Sequence, residues 1–308
     1  MRLSRPNWPL AAILLVALGR PATAEPPRVV ASIKPIHSLI AGVMAGVGVP
    51  ALIVPGAASP HTYTLRPSDA RMLETARIVF WVGPSMESFL AKPLDALAGH
   101  AERVELDRAA EVTVLPAREG GPWEPDADAP PLPPGTAHVD GHLWLDPENA
   151  KAIVRLAADR LSALDPADAA RYAANARDME SRLNELDRTL RAQFFSLSGK
   201  SFVVFHDAYQ YLERRYALSA VGAISVDPDR LVGARRIRDI RARIVASHAA
   251  CVFGEPEFQP ALLATVTEGT GAHAGVLDDL GVRVPPGPGL YFTVMRGVAQ
   301  SLTDCLGQ

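Results

Sequence analysis

The chain contains no His-Glu-x-x-His pair, no Gly-x-Ser-x-Gly turn and no Gly-x-x-x-x-Gly-Lys-Ser/Thr loop. The usual sequence signals of zinc proteases, serine hydrolases and P-loop nucleotide enzymes are therefore missing. Two weak Gly-x-Gly-x-x-Ala matches begin at Gly46 and Gly269, but each follows a helical pattern, and dinucleotide binding needs that loop to follow a strand. Basic charge is not in excess, since 31 lysines and arginines against 34 acids leave a net charge of −3. Nucleic acid, whose binders carry basic patches or stripes, is accordingly not an expected partner. After residue 24 no apolar run approaches the ~20 residues that cross a bilayer. What is present is 48% hydrophobic and 21% charged, the balance of a folded chain rather than a disordered one. Its 308 residues suit one large domain or two lobes of ordinary size.

The first residues bear on the compartment. Arg2 and Arg5 precede the apolar run Trp8 to Leu18, and Ala22-Thr23-Ala24 places small residues before Glu25. This pattern predicts a cleaved export signal over residues 1–24 and a periplasmic mature chain; the apolar run is about half the length of a membrane anchor. Cysteine occurs twice, at Cys251 and Cys305. An oxidising compartment permits a disulfide between them, and two separate buried thiols are the alternative.

Short β-branched runs alternate with amphipathic stretches. Arg28 to Ile33, Ala51 to Val54, Arg77 to Val82 and Arg103 to Leu106 read as strands, and the alternation resumes with Ser201 to Phe205, Leu218 to Ile224 and Ala250 to Phe253. This predicts an α/β fold of two lobes, each with a parallel sheet flanked by helices: residues 25–165 and 196–308. Between them Tyr172, Ala176, Met179, Leu183, Leu186, Leu190 and Phe194 recur at three- and four-residue spacing, one face of a long helix. With Asp165 as N-cap and Pro166 in the first turn, the helix is expected over residues 166–195. At 1.5 Å per residue it is roughly 45 Å long, enough to join the lobes stiffly. Residues 116–141, rich in proline, glycine and acids, read as an exposed, mobile loop. No internal repeat of fixed period is evident.

Eight histidines remain to be sorted. In α/β sheets ligands collect in loops beyond the carboxyl ends of strands. His61 follows Ala51 to Val54 through a Pro/Gly-rich loop, and His206 ends the run Phe202-Val203-Val204-Phe205. His142 lies in Gly141-His142-Leu143-Trp144-Leu145-Asp146-Pro147, just before a helix. These three make the candidate metal site. His37, His100, His248 and His273 sit in helical, polar or turn contexts and are expected to be structural, and His138 falls in the loop. Neutral imidazole suits Zn²⁺, and a tetrahedral ion needs one further donor. Asp278, in Gly275-Val276-Leu277-Asp278-Asp279-Leu280-Gly281, is the preferred candidate, with Asp279 or water as competitors. Asp207 and Glu255 are expected to orient imidazole N–H groups.

At these residues the chain resembles a known family. Ile33-Lys34-Pro35, Ser59-Pro60-His61-Thr62-Tyr63 through Pro67-Ser68-Asp69, His142-Leu143-Trp144-Leu145, Phe205-His206-Asp207-Ala208-Tyr209 and Phe253-Gly254-Glu255-Pro256 resemble the ZnuA-like zinc-binding proteins of ABC importers over essentially the whole mature chain. The resemblance implies Zn²⁺ held between two lobes by His61, His142 and His206, and a cysteine pair matching Cys251 and Cys305. It also implies an extracytoplasmic receptor, not an enzyme, that delivers zinc to an ABC permease. Some relatives place a glutamate ligand where Pro60 stands, and many carry a His-rich loop where this chain keeps only His138. A Mn²⁺ receptor or adhesin of the same fold is the runner-up, and a zinc hydrolase a distant third. Manganese prefers oxygen donors, and the manganese-binding cousins tend to carry a carboxylate at the position of His206. The further expectations are a monomer, a nearly preformed site, and release of zinc below about pH 6, where imidazole protonates.

Overall fold

The computed structural model describes residues 25–123, 139–225, 232–256 and 260–308. The expected export signal, His138 and the middle of the expected loop lie outside the described residues.

The first lobe runs β1 (Val29–Ala31), α1 (Lys34–Val43), β2 (Ala51–Leu52), α2 (Pro67–Thr75), β3 (Ile78–Trp81), α3 (Ala91–Leu97) and β4 (Glu102–Glu105). Its strands form a parallel sheet in the order β2-β1-β3-β4. Central β1 and β3 are wholly buried, which is why they read as unbroken apolar runs rather than alternating ones. β5 (Leu115–Pro116) then pairs antiparallel with β6 (Val139–Asp140). The stretch expected to be a loop from 116 to 141 is therefore closed at its base by a short ribbon.

Two helices follow, α4 (Pro147–Leu164) and α5 (Ala169–Phe195). Asp146 caps α4 by accepting from the Glu148 amide at 2.8 Å, with Pro147 in the first turn. The cap expected at Asp165 is not formed. Asp165 ends α4, and its carboxylate accepts instead from Tyr172 Oη at 3.0 Å, so the long helix begins at Ala169. All seven residues of its apolar stripe are buried, as the spacing requires.

The second lobe runs β7 (Ser201–Val204), α6 (Gln210–Tyr216), β8 (Ser219–Ala223), α7 (Ala234–Ser247), β9 (Cys251–Gly254), α8 (Pro260–Thr267), β10 (His273–Val276) and α9 (Leu290–Leu306). Its parallel sheet has the order β8-β7-β9-β10, which matches the first lobe strand for strand. β10 corrects the expected turn at His273. It is a largely exposed edge strand, too short and polar to announce itself, and a Cβ on Gly275 would lie 2.5 Å from the Phe253 ring.

One hydrophobic core cluster draws residues from β1, α1, α4, α5, α9 and both lobes, and a smaller one lies under α7 and α8. The lobes thus share an interior through α5 and α9, the physical basis of a stiff joint. Cys251 and Cys305 are disulfide-bonded, tying the start of β9 to the end of α9. Closing that loop of 54 residues stabilises the fold by about 4 kcal/mol in the chain-entropy account. No helix among the described residues is long and apolar enough to cross a membrane.

Candidate metal site

His61 hangs in the loop between β2 and α2. That loop is held at its far end by Asp69, fully buried, which accepts from the Arg66 amide and from Tyr63 Oη, both at 2.8 Å. The run from His61 to Asp69 is therefore one folded unit with the ligand at its tip. His142 follows β6 after one glycine. Asp140 accepts from the His142 amide at 2.9 Å and lies 2.8 Å from its Nδ1, so one carboxylate sets both backbone and ring. His206 leaves the end of β7, beside β9. That is the point where the strand order reverses and where open α/β sheets present ligands.

The three side chains meet. Their candidate donor atoms lie within 4.8 Å of one another, and Nε2 of His142 and Nε2 of His206 are 3.0 Å apart. A tetrahedral Zn²⁺ with bonds of about 2.05 Å holds its donors roughly 3.3 Å apart, so the spread fits one ion with small adjustments. The cavity between them, about 10 Å³, is lined by His61, His142, His206 and Asp279 together with Met86 and Trp144. It has room for about one small sphere.

The two aspartates of the 278–281 turn have different surroundings. Asp278 Oδ1 accepts from the amides of Gly281 at 2.7 Å and Val282 at 3.0 Å, closing the turn. Asp279 is 3% exposed, lines the cavity, and has its carbonyl fixed by Trp144 Nε1 at 3.0 Å. Asp278 is expected as the donor from its place in a second-lobe loop, and nothing in the residue order separates it from its neighbour Asp279. The same holds for the groups expected to orient imidazoles. Glu255 Oε2 lies 2.6 Å from His206 Nδ1, but Asp207 points away into an ion pair with Arg118. Asp140 takes the orienting role on His142 and was missed; the Asp-Gly-His spacing, a side chain reaching an amide two residues on, was its available signal.

Charge is distributed unequally over the three rings. Burial depresses His61 and His142 well below the usual imidazole range, helped by the charge of His206. Burial also opposes a proton on His206, but the neighbouring Glu255 carboxylate outweighs it and lifts His206 to about 9. The consistent arrangement is a doubly protonated His206 donating from Nδ1 to Glu255 and from Nε2 to a neutral His142. The proton on His142 Nδ1 then faces Asp140, whose carboxyl burial pushes up to about 7 against the His142 amide and the charges of Arg118 and His206. Outside this cluster, His37 is buried with Nε2 on the Pro50 carbonyl at 2.9 Å, whereas His100, His248 and His273 are exposed and take no part.

A family profile described as "ZnuA: Zinc-uptake complex component A periplasmic" matches residues 29–305. The high-affinity zinc uptake system protein ZnuA of Brucella suis is 42% identical, with 97% of each chain covered. The protein of the same name from Yersinia pestis is 34% identical, with 99% of each covered. A crystal structure of ZnuA superposes with a TM-score of 0.76 over 91% of this chain and 99% of that one, at 22% identity, which shows a common fold. The match along nearly the whole sequence, and the lobes that carry it, place this chain in the ZnuA family of periplasmic zinc-uptake components.

Proposed function

We propose that this chain captures Zn²⁺ between its lobes with His61, His142 and His206, completes the shell with Asp279, and hands the ion to an ABC-type importer. One observation carries the reading: three imidazoles from segments distant in sequence converge within 4.8 Å around a cavity the size of one ion. Three nitrogens and one carboxylate favour Zn²⁺ over Mn²⁺, which prefers oxygen donors. Asp140 and Glu255 hold the rings of His142 and His206 with Nε2 turned inward. Family membership speaks against the hydrolase reading. The mature chain acts as a periplasmic monomer after removal of residues 1–24.

Metal analysis of protein purified without added metal tests this directly. Stoichiometric zinc, lost in a His61→Ala/His142→Ala/His206→Ala triple variant, is the expected result, and dominant manganese contradicts it. For the fourth donor, Asp279→Asn weakens zinc, whereas Asp278→Asn, which can still accept both amides, leaves affinity unchanged. Mass spectrometry of the exported chain reads the mature N-terminus, and light scattering its oligomeric state.

A further inference from the structure

We propose that Lys34 and Arg118 are positioning residues for zinc capture. They are two cations carried by first-lobe segments, and each clasps one of the two second-lobe loops that bear metal donors. The inference rests on the zinc site just described. Lys34 opens α1, with two residues between it and the end of β1, and is 3% exposed. Its ammonium donates to the carbonyls of Gly281 and, at 3.0 Å, Val282, in the turn that carries Asp279. Arg118 follows β5, at the base of the β5–β6 ribbon. Its Nε donates to both carboxylate oxygens of Asp207, at 2.9 and 3.0 Å, next to His206. Its Nη1 and Nη2 reach Glu213 on α6 at 3.1 and 2.9 Å, and its Cζ lies 3.5 Å from the centre of the Trp123 ring.

The choice of cation follows the acceptor. A compact ammonium gathers two carbonyls, and a planar fork engages carboxylates. Both loops lack regular structure, so β7 and β10 do not by themselves fix where His206 and Asp279 stand relative to His61 and His142. The shared core through α5 and α9 holds the lobes together without these two cations. Burying an ammonium is costly, and a partner set aimed at the donor-bearing turn ties that cost to geometry rather than to bulk stability.

The sign of the effect is decisive. A cation beside a cation site repels the metal, so if Lys34 and Arg118 act through charge alone their removal tightens zinc. If they act by position, their removal loosens it. The experiment compares wild type, Lys34→Met, Lys34→Gln, Arg118→Met and Arg118→Gln by chelator competition for Zn²⁺. It also records the visible spectrum of each Co²⁺-loaded protein, which reports donor set and geometry, and the melting temperature without metal. We expect each methionine variant to lose about tenfold in zinc affinity, the lower end for losing a group that orients a ligand, and to show altered Co²⁺ bands. The glutamine variants, which keep neutral donors, lose less and serve as the test should a methionine variant fail to fold. Wild-type affinity with an unchanged Co²⁺ spectrum, whatever the melting temperature, overturns the proposal, as does tighter binding. Failure of the zinc reading itself is told apart, because wild type would then bind no zinc or His206→Ala would leave affinity unaltered.

Discussion

In the first lobe the ligand His61 comes from the loop after β2, an edge strand, and His142 from a turn beyond the sheet, whereas in the second lobe His206 leaves the central strand β7. The strand orders are the same, yet the two lobes arrive at the metal differently. The first offers two imidazoles that burial keeps neutral and ready to coordinate. The second offers one imidazole that Glu255 keeps charged, beside the turn after β10 from which Asp279 lines the cavity. Equal topology therefore does not mean equal chemistry.

The bluntest way to break this comparison is to delete a ring. His61→Ala, His142→Ala and His206→Ala are each expected to weaken zinc more than about 100-fold, beyond what losing an orienting carboxylate costs, with His100→Ala as the silent control. Chelator competition reads all four, and similar affinities for wild type and the three ligand variants would sink the site. Next come the carboxylates that hold the rings. Compared above about pH 9, where no proton competes for His206, Glu255→Gln and Asp140→Asn should each cost about 10- to 100-fold, and at lower pH Glu255→Gln should also abolish the proton stored on His206.

Proton release sharpens the comparison further. With His206 near 9, Asp140 near 7 and the other two rings well below their usual range, one proton is expected to leave for each zinc bound between about pH 7 and 9. Affinity should thus rise about tenfold per pH unit over that window and level off above it, so the weakening sets in far above the pH 6 expected from an ordinary imidazole. Calorimetry in buffers of different ionisation enthalpy counts the proton, and a count of zero in wild type, or of one in Glu255→Gln, contradicts the assignment. The smallest effect concerns the lobes themselves. Because α5 and α9 share one core with both, zinc should change the radius of gyration by less than about 1 Å, and X-ray scattering of metal-free and loaded protein would expose a larger swing.

The fold was legible to the extent that burial writes itself into residue order. β1, β3 and β7 appear as apolar runs and α5 as a stripe because each faces a continuous interior. β10 left no such trace, since an exposed edge strand needs backbone partners and space for Gly275 rather than apolar side chains. The parallel between the two sheets was equally hidden, because strand order is set by which crossovers the packed helices permit and leaves no sequence period.

The three histidines could be picked out one at a time because residue order alone determines where a strand stops and which side chain follows it. That Asp279 rather than Asp278 lines the cavity, that Asp140 rather than Asp207 orients a ring, and that Lys34 and Arg118 reach across to the opposite lobe were decided only by the tertiary structure. Those contacts join residues from about 90 to about 250 positions apart or depend on a single turn's rotation. Their energies arise from buried charges finding acceptors, which local sequence does not encode.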